Sequence, residues 1–315
     1  MKIVFMGSPE FAVDTLAALH KEGKHELLAV VTQPDRPKGR GRKILTTAVK
    51  DYSLQAALPV LQPEKVRSPE FIAQLKALRP DLIVVVAFGQ LLPREILDLP
   101  RLGCLNVHAS LLPKYRGAAP IHYAILRGEA ESGVTVMQMD EGMDTGAMLA
   151  KYTVSITQDM TMGDLHDILK AKGAELLLKV LSEIEKSIAA AVAQNNSEAT
   201  YAALLTKEIE RINWNLPAGE VHNKVRGLNP WPGAYTLLPN GRKLKLWRTR
   251  VIESLHDGCK PGEVAELTDT GFVVACGEGF IEVLEVQPES GKKMPAATYC
   301  NGHKLNKGIK FIIEG

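Results

Sequence analysis

Asn106 and His108 stand two residues apart in the stretch GCLNVHASLLPKYRGAAPIHYAI, which begins at Gly103. Residues at i and i+2 of a β-strand project from one face, so an amide and an imidazole would enter one pocket at a strand end. Downstream, DEGMDTG packs Asp140, Glu141 and Asp144 around two glycines in a turn that closes a further strand pattern. If that turn meets the strand end, a carboxylate reaches the imidazole and orients the ring. Amide, imidazole and carboxylate together suit acyl transfer without a covalent intermediate: two donors for a developing oxyanion, and a carboxylate that manages protons. A cysteine nucleophile stays open, because Cys104 shares the Asn106 face on strand alternation; no Gly-x-Ser-x-Gly elbow is present.

Such residues need a scaffold that gathers strand ends. KIVFMG, ELLAVVTQ, LPVLQP and DLIVVVAFG are apolar runs, interleaved with SPEFAVDTLAALHKEG and SPEFIAQLKALRP. Each of these last two opens on Ser-Pro-Glu, a helix start with Ser8 and Ser68 as N-caps. Continuous Val/Ile/Leu strands with helices between them predict an α/β domain with a doubly wound, mostly parallel, Rossmann-like sheet, and ligands beyond the carboxyl ends of its strands. From about Ile212, short strand patterns divided by Gly and Asn-Gly turns predict a small β-barrel. The division is residues 1–188 for the α/β domain, 189–206 for a linker of small and polar residues, and 207–315 for the barrel.

Composition narrows the classes. The chain has 315 residues, 45% hydrophobic and 23% charged, with a net charge of +2, so bulk charge announces no nucleic-acid partner. No apolar run approaches the ~20 residues of a membrane span, the N-terminal run reads as a first strand, and a cytoplasmic location is expected. Four scattered cysteines and eight histidines lack metal-ligand spacing, so no metal is expected. The first turn, GSPEFA, has one glycine, a proline and a glutamate, a poor cradle for a dinucleotide pyrophosphate. Charge is local instead. Lys38, Arg40, Arg42 and Lys43 fill the loop DRPKGRGRK, and GRKLKLWRTR carries Arg242, Lys243, Lys245, Arg248 and Arg250. Strict alternation would put Lys243 and Lys245 on the face opposite Arg242, Arg248 and Arg250.

Asn106-x-His108, SLLPKYRGAAPIHYAI and GMDTG together resemble the 10-formyltetrahydrofolate-dependent formyltransferases. INWNLPAGEVHNKVRGLNPWPGAYT extends the resemblance over essentially the whole chain, toward members whose acceptor is the α-amine of methionine on initiator tRNA. The resemblance implies that Asn106 and His108 stabilise the tetrahedral oxyanion, while Asp144 holds the histidine and joins in proton transfer. It implies folate binding by Ser110, Leu111, Leu112 and Pro113, with Phe88, Gly89 and Asp140 as pocket walls. It gives the loop of residues 34–44 to the tRNA acceptor arm, through Lys38, Arg40, Arg42 and Lys43, with Arg42 the most sensitive. The C-terminal barrel resembles an oligonucleotide-binding (OB) fold and would offer Lys243, Lys245 and Arg248 to the tRNA. A folate formyl donor, no metal and a monomer complete the expectation. Similar proteins that formylate amino-sugar nucleotides, or release the formyl group to water, are the alternatives.

Overall fold

The computed structural model describes residues 1–38, 43–252, 258–303 and 305–313. In chain order the first eleven strands are β1 (Lys2–Gly7), β2 (Glu26–Val31), β3 (Arg36–Lys38), β4 (Lys43–Leu45), β5 (Val60–Leu61), β6 (Leu82–Val86), β7 (Cys104–His108), β8 (Arg116–Gly117), β9 (Glu131–Gln138), β10 (Met148–Ser155) and β11 (Tyr201–Ala202). Seven of them form one sheet in the order β10-β9-β7-β6-β1-β2-β5. It is parallel from β5 through β7, and β9 runs antiparallel to β7. This is the doubly wound sheet expected from the apolar runs. All of β6 and the last five residues of β1 are buried, as strands covered on both faces must be. The long helix Met162–Ser182 approaches β7 so closely that a Cβ on Gly173 would lie 2.9 Å from Cγ1 of Val107.

The two Ser-Pro-Glu motifs diverge. Ser68 caps helix Pro69–Leu78, its hydroxyl accepting from the Phe71 amide at 3.3 Å. Ser8 does not cap helix Phe11–Glu22, whose N-cap is Glu10. Its hydroxyl accepts from the Gln33 amide at 3.1 Å and donates to the Phe88 carbonyl, so it ties the ends of β1, β2 and β6 together. Residues 189–206 make specific bonds. Val192 bridges Met148, and β11 runs parallel to β8 in a two-stranded ladder. That ladder needs glycine at 117, where φ is 113° and a Cβ would lie 2.7 Å from the Ala202 carbonyl oxygen.

The chain divides into two compact units. The first comprises Met1–Pro120, Ser132–Val154 and His166–Ala202; the second comprises Ile121–Glu131, Ser155–Leu165 and Ala203–Gly315. In the second, the strands are β12 (Ala234–Leu237), β13 (Lys243–Ile252), β14 (Val264–Leu267), β15 (Phe272–Ala275), β16 (Phe280–Pro288) and β17 (Met294–Pro295). The sheet order is β12-β13-β16-β15-β14, with β17 on β16. Among the described residues these strands follow an open path and close no barrel. Both edges are instead bonded by the segment after them: the Val264 amide donates to the Ile309 carbonyl, and the Ile312 amide to the Leu237 carbonyl. Trp214, Phe272 and Phe311 fill the core, and Trp214 Nε1 donates to Thr236 at 2.9 Å.

Strict alternation in β13 fails at one place. Leu246 pairs with Val286 and Arg248 with Glu285, which leaves Trp247 as a bulged residue. Leu244, Leu246 and Thr249 are buried, while Lys243, Arg248 and Arg250 are exposed and Lys245 is half-buried. The bulge therefore places Lys243, Lys245, Arg248 and Arg250 on one face, correcting the expectation that the lysines oppose the arginines. Among the described residues no helix is long and apolar enough to cross a membrane.

Helix Ala218–Gly227 buries two polar side chains against the segment Ser155–Leu165. Arg226 donates to the carbonyls of Thr157 and Met160 at 3.1 and 3.0 Å, and His222 Nε2 donates to that of Gln158 at 3.0 Å. Burial pushes the pKa of His222 below its ordinary 6.5. The unfolded chain then binds the proton first, so the stability owed to neutral His222 is complete above about pH 6.5 and is lost as pH falls through the lower folded value. The three tryptophans, Trp214, Trp231 and Trp247, all lie in the second unit and report its unfolding alone. Between pH 7 and 5 the tryptophan-detected urea midpoint should fall more steeply in the wild type than in His222→Gln. Parallel curves would remove His222 as the source.

Candidate active site

Strand β7 lies inside the sheet between β6 and β9, with Asn106 opposite Val85 and Met137 and His108 opposite Thr135. Period two then puts both side chains on one face, away from the helix packed on Val107. His108 is 7% exposed. Its Nε2 lies 3.0 Å from the Tyr115 carbonyl oxygen, an acceptor only, so Nε2 carries hydrogen and donates. Its Nδ1 lies 3.7 Å from Oδ2 of Asp144, within ion-pair range but longer than a hydrogen bond.

Asp144 reaches this point from the turn after β9. Oδ2 accepts the Gly117 amide at 2.8 Å, and Oδ1 accepts from Asn106 Nδ2 at 3.4 Å. The three side chains picked out by spacing therefore meet in space. Gly117 completes the set, and only its place in the quoted Tyr-Arg-Gly motif could have flagged it. Asp144 holds φ at 56°, the left-handed region that non-glycine residues seldom adopt. The arrangement brings the Asn106 amide and the Nδ1 edge of the His108 ring up to a carboxylate whose own charge rests on a backbone amide.

The loop after β7 folds onto β9. Thr135 Oγ1 donates to the Ser110 carbonyl at 2.7 Å and accepts the Leu112 amide at 3.2 Å, while Ser110 Oγ donates to the Lys114 carbonyl at 2.7 Å. Ser110, Leu112 and Pro113 are buried and Leu111 is half-buried. Lys151 donates to the Leu112 carbonyl, and burial pushes its pKa down. Phe88 packs into the core beside Val66 and Phe71 and offers its carbonyl to Gln33 at 3.1 Å; Gly89 is exposed with φ 84°. Asp140 accepts from the Gly142 amide at 3.0 Å and from Thr145 Oγ1 at 2.5 Å. Together with Arg94, Leu97 and Met139 it lines a cleft of about 520 Å³.

The sulfur left open by strand alternation is excluded by its surroundings. Cys104 is 1% exposed, its thiol faces the carbonyls of Ile96 and Leu97, and burial pushes its pKa up to about 12. Glu10, His166 and Asp167 lie close enough to hold a cation, but the Lys170 ammonium pairs with both carboxylates, at 3.3 Å from Asp167.

The basic segments are placed in part. β3 and β4 form an antiparallel hairpin in which Lys38 stands opposite Lys43; Arg40 and Arg42 lie outside the described residues. On β13, Lys243 Nζ lies 4.1 Å from the centre of the Tyr235 ring, and Lys245 donates to the Pro232 carbonyl at 2.6 Å. Lys293 covers the Trp247 ring at 3.7 Å, Arg250 pairs with buried Glu282, and Arg248 is exposed opposite Glu285.

A model described as Formyl transferase matches residues 1–181, and one described as Formyl transferase, C-terminal domain, matches residues 204–304. The methionyl-tRNA formyltransferase of Acetivibrio thermocellus is 49% identical over 308 residues, 98% of each chain. That of Caldanaerobacter subterraneus subsp. tengcongensis is 49% identical over 310 residues, 98% of this chain and 99% of its own. Solved structures share the fold at lower identity. HypX from Aquifex aeolicus, in complex with tetrahydrofolic acid, aligns with a TM-score of 0.64 at 20% identity, over 98% of this chain and 48% of that one. The N-formyltransferase from Helicobacter canadensis, in complex with folinic acid and dTDP-3-aminofucose, aligns with a TM-score of 0.64 at 22% identity, over 90% and 99%.

The buried thiols give a check that needs no substrate. Iodoacetamide at pH 8 should label half-buried Cys259 in the native protein and spare Cys104 and Cys276, whose pKa values burial pushes up to about 12. In urea all four should react. Rapid native labelling of Cys104 would restore it as a candidate nucleophile.

Proposed function

Because this chain belongs to the formyl transferase family, we propose that it transfers a formyl group from 10-formyltetrahydrofolate to the α-amino group of methionyl initiator tRNA. The observation that carries the chemistry is the meeting of Asp144 with Asn106 and His108 beside the Gly117 amide. The full-length match to methionyl-tRNA formyltransferases supports the acceptor.

The residues divide the work as follows. Asn106 Nδ2–H and, in the imidazolium form that carries hydrogen on both ring nitrogens, His108 Nδ1–H stabilise the oxygen of the formyl group as the amine adds to its carbon and that oxygen gains charge. Asp144 takes the proton that the amine sheds, and a proton returned to the departing folate nitrogen lets the carbon–nitrogen bond break. The cleft beside Asp140, with apolar walls from Leu97 and Met139 and polar edges, has the volume of an ordinary small-ligand site and suits a pterin. Leu111, in the loop anchored on Thr135, supplies a half-exposed apolar contact.

The acceptor is held by charge. Lys243, Lys245 and Arg248 share one face of β13 with Lys293 over Trp247, a cationic surface with an aromatic floor suited to an RNA backbone. The β3–β4 hairpin, which carries Lys38 and Lys43, is the second contact, for the acceptor arm. In this assignment residues 1–188 perform the transfer, 189–206 brace it, and 207–315 bind the tRNA.

The test is a formyl-transfer assay with 10-formyltetrahydrofolate and methionyl initiator tRNA, run beside an elongator tRNA and a water-only control. Formylation confined to the initiator is expected; formyl loss to water alone would overturn the acceptor assignment. His108→Ala should lower turnover by roughly 10²–10³ while folate binding, read by thermal stabilisation, is kept. Lys243→Ala with Arg248→Ala should weaken tRNA use and reduce the slope of log affinity against log salt by about one for each phosphate that the variant no longer neutralises. An unchanged salt slope would remove that face from the RNA interface.

A further inference from the structure

Gln194 lies in the stretch whose composition announces only a connection. Its Nε2 donates to the carbonyl of Asp144 at 2.7 Å and to that of Gly146 at 2.8 Å. Its Oε1 accepts from Arg116 Nε at 3.0 Å and from Nη2 at 2.8 Å. One side-chain amide thus uses both its hydrogens and both its lone pairs. Arg116 is 2% exposed, Nη2 also donates to Asn196 at 2.8 Å, and among the described residues no carboxylate lies within ion-pair distance of it. A buried guanidinium bonded to neutral amides is a fixed positive anchor. By drawing charge from Oε1 it strengthens donation from the far end of the same amide.

What the far end holds is the turn that keeps Asp144 at φ 56°. A residue in that region reverts to a commoner conformation unless its surroundings over-determine it. Reversion would swing the carboxylate off the Gly117 amide and away from Asn106 and His108. We propose that Gln194, anchored by Arg116, is a positioning residue that fixes the Asp144 carboxylate in the site. The role given to Asp144 in catalysis rests on the formyl-transfer reading; the clamp itself rests on the hydrogen bonds.

Gln194→Glu separates the two ends of the amide. At pH 8 it keeps an acceptor for Arg116, removes both donors and sets a carboxylate against two carbonyls. Gln194→Met removes everything and serves as the second variant. Hydrogen exchange over residues 139–148, read by mass spectrometry, should accelerate about tenfold or more in both, with β7 and β9 unchanged. Formyl transfer should lose about 10- to 100-fold in kcat with the folate KM held within about threefold, since misplacement costs turnover before binding. In an Asp144→Asn background, Gln194→Glu should cost little more, because both act through one carboxylate. Unchanged exchange, additive losses in the double variant, or failure of both variants to fold would each overturn the proposal. Accelerated exchange in a protein that formylates no amine would leave the clamp standing and remove the functional reading instead.

Discussion

One oxygen of the Asp144 carboxylate accepts the Gly117 amide and faces His108, while the other reaches Asn106. Without that carboxylate, Asn106 and His108 are two polar neighbours on an apolar strand. With it, an amide, an imidazole and a carboxylate converge on one point. Four separated segments must agree for this to happen: β7, the Tyr115–Gly117 stretch, the turn after β9 and the stretch around Gln194. The agreement is enforced by short backbone bonds, above all the β8–β11 ladder, whose close approach leaves no room for a side chain at 117. Strained conformations persist where several independent interactions fix them, and Asp144 is bonded through both its carboxylate and its carbonyl.

The second unit solves a different problem with a local irregularity between two strands, Trp247 standing unmatched on β13 and Leu284 on β16. A regular strand divides its side chains equally between two faces, so a row of cations on one face would need lysine or arginine at every second position. The bulge at Trp247 resets the alternation halfway along β13. The cations before it and after it then share the outer face, while Leu244, Leu246 and Thr249 stay inside. Trp247 is itself held, its indole donating to Gln287 at 3.1 Å beneath the Lys293 ammonium.

How far the sequence could be read follows from which signals are local. Buried parallel strands announce themselves as continuous apolar runs, so the sheet of the first unit was legible almost strand by strand. Asn106 and His108 were legible because period two is a property of any strand. Asp144 needed only the conjecture that one turn meets one strand end. Gln194 was not legible: small and polar neighbours describe a connection, and its bonds run to carbonyls about fifty residues away in sequence. Ser8 and Ser68 open identical tripeptides, yet one caps a helix and the other ties three strand ends, because the strand ends surround only the first. The bulge had no local mark either, and the arginine singled out in the basic loop, Arg42, lies outside the described residues.

The order in which the units use the chain bears on how the polypeptide can be made and cut. The chain passes from one unit to the other after residues 120, 131, 154, 165 and 202, so the second unit draws on two segments that lie well before its main block of sequence. A ribosome delivers Ile121–Glu131 and Ser155–Leu165 long before the helix that will bury Arg226 and His222 against the latter. Those segments must wait, at the entropic cost of closing long loops. No single cleavage liberates either unit whole, and a graft of residues 203–315 onto another scaffold would carry the strands without the carbonyls that satisfy their buried cation.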